Sequence, residues 1–164
     1  MIPEARREIT GEAPADAFLD KCVGGYHLVE RVGEGGMGAV YRAVPEDAPG
    51  GAAVAVKLIK RGMDTESVLR RFDNERHILA ALDHPNIARL LDTGTTADGL
   101  PYVVMEYIPG PRVVDYCDQR KMPVAARLEL FRKICAAVEC AHQKQVIHRD
   151  IKPSNVLVGP GGEP

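Results

Sequence analysis

The stretch His148-Arg149-Asp150-Ile151-Lys152-Pro153-Ser154-Asn155 brings a candidate base, a cation and a metal ligand together within eight residues. These are the groups that phosphoryl transfer requires: a carboxylate to take a hydroxyl proton, positive charge for the phosphoryl oxygens, and an oxygen donor for a metal ion. The bland alternative is that Asp150 and Asn155 only make turn hydrogen bonds, and for either residue alone it would be the better account. A chance match of His148, Arg149, Asp150, Lys152 and Asn155 in one register arises on the order of once per million starting points. Coincidence is therefore a poor explanation.

A second group lies much earlier in the chain. Gly33-Glu34-Gly35-Gly36-Met37-Gly38-Ala39-Val40 has the spacing of a phosphate-covering loop, in which glycines are needed because side chains would keep the backbone from closing over phosphates. Alone the signal is weak, since dinucleotide-binding folds share it. There, however, the last glycine opens a helix and an acidic residue follows about 20 positions later; here the flanks read as strands, and the residue 19 positions after Gly38 is Lys57. No Gly-Lys-Ser/Thr follows the glycines, which removes a P-loop. In Val54-Ala55-Val56-Lys57, strand alternation puts Ala55 and Lys57 on one face, a small residue beside an ammonium. Standing alone, Lys57 would read as an edge lysine reaching for water. Farther on, Val68, Phe72, Glu75 and Leu79 share one helical stripe while Asp73 and Arg76 point elsewhere, so Glu75 is a carboxylate on an apolar face that needs a cation.

These segments resemble protein kinases. Residues 148–155 satisfy the catalytic-loop pattern H-R-D-x-x-x-x-N with Ile151 where the commonest version has Leu, residues 33–40 satisfy G-x-G-x-x-G-x-V, and residues 54–57 are V-A-I-K with Val56 in place of Ile. The resemblance implies that Asp150 accepts the proton of the substrate hydroxyl, that Asn155 holds Mg2+ against the nucleotide phosphates, and that Lys57 pairs with Glu75. It also makes Lys152 the mark of serine/threonine specificity, with an ammonium suited to the transferred phosphoryl charge. Residues 102–108 resemble a kinase fifth strand and hinge. This implies Met105 at the back of an adenine pocket, backbone atoms of Glu106 and Ile108 at the adenine edge, and Val32, Val40, Ala55 and Leu157 around the ring, although each of these four also reads as simple core. With Gly33, Glu34, Gly35, Gly36, Met37 and Gly38 they make up the expected ATP site.

The wording Gly-Glu-Gly-Gly-Met-Gly and His84-Pro85-Asn86-Ile87 is similar to bacterial serine/threonine kinases of the eukaryotic type, and the resemblance runs over residues 26–158. No Asp-Phe-Gly, activation segment or Ala-Pro-Glu occurs, so the chain is expected to be an N-terminal piece of a kinase domain that does not turn over ATP by itself. The leading expectation for the parent is ATP-dependent phosphorylation of protein serine and threonine hydroxyls. A pseudokinase or nucleotide-binding scaffold is the runner-up, which an altered metal-binding Asp downstream would mark; a dinucleotide-binding module comes third.

The elements that must hold these groups give an α+β fold, with a five-stranded antiparallel small lobe, one main helix and the start of a helical large lobe. The expected divisions are a flexible leader at 1–24 with one short helix near 15–22, a small lobe at 25–107, and a hinge with partial large lobe at 108–164. Strands are expected at 26–32, 39–44, 53–59, 87–92 and 101–106, the last two joined across Ala97-Asp98-Gly99. A helix capped by Asp64 or Thr65 runs to about Leu82 and stops before His84-Pro85-Asn86. A longer one follows Pro123 to about Gln143, then a short strand at 156–158 that looks like the opening of a hairpin. On the long helix, Val124, Leu128, Phe131, Cys135 and Val138 form one stripe and Leu130, Ile134, Ala137 and Ala141 a second. Such a wide apolar face expects neighbours on more than one side.

Composition excludes more than it identifies. With 45% hydrophobic and 27% charged residues and a net charge of -2, the chain suits a packed core and shows no nucleic-acid footprint. Cys22, Cys117, Cys135 and Cys140 have no C-x-x-C pairing and follow no secretory signal, which fits reduced thiols in the cytoplasm. Cys135, Cys140 and His142 could be imagined as metal ligands, but their spacing on a helix favours burial. No run of 18 apolar residues crosses a membrane within the chain. The expected partners are ATP, Mg2+ and protein substrates.

Overall fold

The computed structural model describes residues 16–36, 38–48, 50–60, 82–148 and 150–164. Among these, six strands form one antiparallel sheet in the order β1-β2-β3-β4-β6-β5. They are β1 (Cys22–Val23), β2 (Tyr26–Gly35), β3 (Gly38–Pro45), β4 (Val54–Ile59), β5 (Leu90–Thr95) and β6 (Pro101–Glu106). Alternation sorts their side chains. Leu28, Tyr41, Ala43, Val54, Val56, Leu58, Tyr102 and Val104 pack into one core on one face, leaving Val40, Ala55, Lys57, Val103 and Met105 on the other.

The sheet has one strand more than the five expected. β1 exists because the chain reverses at Gly24 and Gly25, whose φ values of 58° and 83° are cheap only for glycine. Gly24 also rests on the Tyr102 ring, where a Cβ would collide with the phenol oxygen. Ahead of it, the short helix expected near 15–22 is replaced by turns. The Asp16 carboxylate accepts from the Phe18 amide at 3.1 Å and from the Tyr41 hydroxyl at 2.9 and 3.0 Å, and Phe18 and Leu19 pack on the core. Such a side-chain bond to the backbone competes with helix formation. Burial and the Asp16 carboxylate together push the Tyr41 phenol up to about 12.

β5 starts at Leu90, later than expected. Residues 84–87 form a turn instead, in which the Asn86 amide donates to His84 Nδ1 at 3.1 Å and the Ile87 amide to the His84 carbonyl at 3.0 Å. Thr96 and Gly99 close the β5–β6 turn as expected, with Gly99 at φ 80°. The helix expected before Leu82, and Glu75 with it, lies outside the described residues.

Two helices follow the sheet, α1 (Val113–Gln119) and α2 (Val124–Gln143), with Pro123 as the N-cap of α2. Within α2 only Leu130 and Ala137 are buried, whereas Val124 is 72% and Phe131 61% exposed. The broad apolar face therefore lies open among the described residues. Residues 156–158 find their partner in the exit from the sheet: the Val113 amide donates to the Val156 carbonyl and the Val158 amide to the Pro111 carbonyl, each at 2.9 Å.

Gly38 carries the sharpest constraint in the glycine-rich hairpin. Its φ is 146°, and a Cβ there would run into the Leu58 carbonyl oxygen, while Gly35 faces open space. Gly38→Ala is expected to destabilise the protein by about 1–3 kcal/mol, and Gly35→Ala to leave stability nearly unchanged. Urea unfolding midpoints of the two variants check this.

Candidate functional site

The first half of the site is the face of the sheet opposite the core. Register places Val40 opposite Lys57, Lys57 opposite Val103, and Ala55 opposite Met105. Every residue of β4 except Lys57 is buried, so its ammonium is the one charge in that strand. Gly33 pairs with Val40, Glu34 with Ala39 and Gly35 with Gly38, which carries the glycine-rich segment out as an extension of β2 and β3 beyond Lys57. Gly36 forms the turn; Met37 lies outside the described residues. Of the four apolar positions open to two readings, Ala55 is 7% exposed, but Val32 at 42% and Leu157 at 37% are too exposed to be core. Leu157 bridges Arg112, and Ile108 lies against Gly159, so the hinge and residues 156–159 are neighbours. Met105 and Ile108 are half-buried and Glu106 is exposed.

The second half is the segment from His148 to Asn155. Ile151, between Asp150 and Lys152, joins α2 residues from Phe131 to Gln143 in lining a groove of about 570 Å3. Pro153–Asn155 form one turn of 3₁₀ helix with Pro153 at its start, and that turn carries the Asn155 side chain back to Asp150. Asn155 Nδ2 donates to the Asp150 carbonyl at 2.8 Å and to Asp150 Oδ2 at 2.9 Å. Lys152 Nζ meets the same Oδ2 at 2.9 Å, and the Asp150 amide donates to His148 Nδ1 at 3.3 Å. The turn bonds and the clustering of chemical groups thus coexist. Hydrogen bonds from Lys152 and then Asn155 hold the Asp150 carboxyl below its ordinary value, against a small opposing effect of burial. Arg149 lies outside the described residues.

Residues 26–163 match the family model described as the protein kinase domain. The chain belongs to the protein kinase family. It is 39% identical to serine/threonine-protein kinase A of Synechocystis over 81% of its own length and 27% of that protein. To serine/threonine-protein kinase PrkC of Bacillus subtilis it is 36% identical over 82% of this chain and 21% of that one. The PknI kinase domain of Mycobacterium tuberculosis superposes with a TM-score of 0.73 at 30% identity, covering 85% of this chain and 57% of that structure. This kinase-family chain spans about a quarter or less of the curated relatives and over half of that solved domain.

Membership in the kinase family implies use of ATP, generally with Mg2+, and the residues present fit both. Gly35 and Gly36 border open space that a phosphate could occupy. Asn155 commits its amide nitrogen to Asp150, which turns its carbonyl oxygen elsewhere, and a neutral oxygen beside a carboxylate is a donor set for a hard cation. No helix among the described residues is long and apolar enough to cross a membrane. Sequence reasoning did not single out Arg31 and Lys60, which both hold the Glu34 carboxylate, at 3.0 and 3.4 Å. On a regular strand their three-residue spacing puts Arg31 and Glu34 on opposite faces; the register shift between Arg31 and Gly33 brings them together.

Proposed function

We propose that the protein containing this chain transfers the γ-phosphoryl group of ATP to serine and threonine hydroxyls of proteins. The observation that carries the proposal is the single carboxylate oxygen of Asp150 shared by Lys152 and Asn155, on a turn whose other end packs against the hinge. In this reading the phosphorus–oxygen bond to ADP breaks as the bond to the substrate oxygen forms, and the hydroxyl proton passes to Asp150. Lys152 balances charge on the transferred group. Lys57 holds the phosphates, positioned by Glu75, and the glycine-rich hairpin Gly33 to Gly38 covers them. Val32, Val40, Ala55, Met105 and Leu157 enclose the adenine, and the backbone of Glu106 and Ile108 meets its edge. Asn155 would hold Mg2+, which when bound neutralises phosphate charge. A cytoplasmic setting goes with the reading, since Cys22, Cys117, Cys135 and Cys140 are all free thiols.

The test is transfer of radiolabelled phosphate from ATP by the full-length protein to a generic basic protein, followed by acid hydrolysis. Labelled phosphoserine or phosphothreonine is expected. ATP binding with no transfer would leave a nucleotide-binding scaffold instead.

The depressed Asp150 carboxyl carries a pH prediction. As the base it must be deprotonated, and Lys152 is the leading cause of its low value. Removing that ammonium lets the proton bind at higher pH, so Lys152→Met is expected to move the acid limb of the kcat/KM profile upward. An unmoved limb in the variant would show that Asp150 does not set it.

A further inference from the structure

A line of charge runs from the segment before β1 to the tip of the glycine-rich hairpin. Arg31 sits opposite Tyr41 in the β2–β3 register, just before a bulge that ends at Gly33. Asp16 reaches both residues of that pair: it accepts the Tyr41 hydroxyl bond, and its Oδ2 lies 3.3 Å from Arg31 Nε. The same guanidinium donates through Nη1 to Glu34 Oε2 at 3.0 Å, and Lys60 Nζ lies 3.4 Å from the other Glu34 oxygen. The Asp16 side chain is only 10% exposed, so it is a fixed anchor, whereas Arg31, Glu34 and Lys60 are about half exposed. Gly24, wedged on Tyr102, holds the other end of the segment against β6.

We propose that Asp16 is a positioning residue for the nucleotide-covering hairpin, acting through Arg31 on Glu34. Among the described residues of the hairpin tip, Gly33 to Gly36 and Gly38, Glu34 alone carries a side chain, so its carboxylate is the handle. Arg31 can serve two carboxylates at once because its guanidinium is a planar fork with donors on separate nitrogens, which a lysine lacks. Asp16 is thereby coupled to the part of the site over the phosphates. This inference rests on the nucleotide-site reading for its effect on ATP; the coupling itself does not need it.

The test uses the full-length protein with Asp16→Asn, Glu34→Gln, the double variant, and Tyr41→Phe. Two quantities are measured: hydrogen–deuterium exchange of amides 33–38 without nucleotide, and the KM for ATP beside kcat. Each charge variant is expected to speed hairpin exchange by about two- to fivefold, the range for exposed ion pairs, and to raise KM more than it lowers kcat. The double variant should be no worse than Glu34→Gln alone, because both remove one connection. Tyr41→Phe removes the hydroxyl bond but leaves the Arg31 contact, so it should lower Tm without changing exchange at the hairpin. Wild-type exchange in Asp16→Asn, or independent multiplication of the two single effects, would overturn the proposal. If Asp16→Asn fails to fold, Arg31→Lys tests the same link from its centre. If the wild type transfers no phosphate, the function reading falls while the exchange arm still decides the coupling.

Discussion

Asp150→Asn in the full-length protein is expected to cut phosphate transfer by about 10²–10⁴-fold, the range for loss of a positioned general base, while ATP affinity stays near that of the wild type. Asparagine keeps the size of the side chain and an oxygen acceptor, and the bond from Asn155 to the residue-150 carbonyl at 2.8 Å does not involve the altered group. The turn should therefore persist. What disappears is the basic oxygen. Both described side-chain bonds end on Oδ2, and among the described residues no donor is bonded to Oδ1, the atom available to a substrate hydroxyl. Single-turnover transfer and ATP titration of the same preparation check the two halves. Unchanged transfer would remove Asp150 as the base; a large loss of ATP affinity would move its role toward nucleotide binding.

How much was legible in the chain follows from the range of the forces involved. β4 was readable because Val54, Val56 and Leu58 alternate with Ala55 and Lys57, and the core they enter fills one face as that pattern requires. The glycine-rich segment, Lys57 and the Asp150 segment were readable because each is a short stretch whose residue types are constrained together. β1 was not. Two residues hold no periodicity; they pair with Tyr26 and His27 across the Gly24-Gly25 reversal, and the contacts that seat that reversal, Gly24 against Tyr102 and Asp16 on Tyr41, join residues 25 or more positions apart. Val32 and Leu157 could not be separated from core by type, since an exposed valine or leucine has the same hydrophobicity as one inside; their exposure places them outside the core. The Asp16–Arg31–Glu34 line was hidden for a related reason. It depends on a bulge that resets the β2–β3 register, and a one-residue slip would send every side chain beyond it to the other face.

Lys57→Met is expected to reduce phosphate transfer by about 10²–10³-fold, the loss seen when one preorganised electrostatic contact to a developing charge is deleted, and to leave the fold intact. The second half follows from the strand. Lys57 lies between Ala55 and Ile59 on its own strand and between Val40 and Val103 across the sheet, so four apolar neighbours surround its stem. Methionine fills the same volume, and no hydrogen bond of the strand ladder changes. Tm should hold or rise, because a half-buried ammonium costs more desolvation than a thioether. The loss of activity then has one source, the charge itself. Lys57→Arg sharpens the point: it keeps the charge but adds a fork too long for a position hemmed by Val40 and Val103, and it should be impaired as well. Steady-state kinetics and thermal melts on the three proteins decide between the accounts. A Met variant with wild-type turnover would leave Lys57 no role in transfer, whereas one with lowered Tm would make it part of the packing.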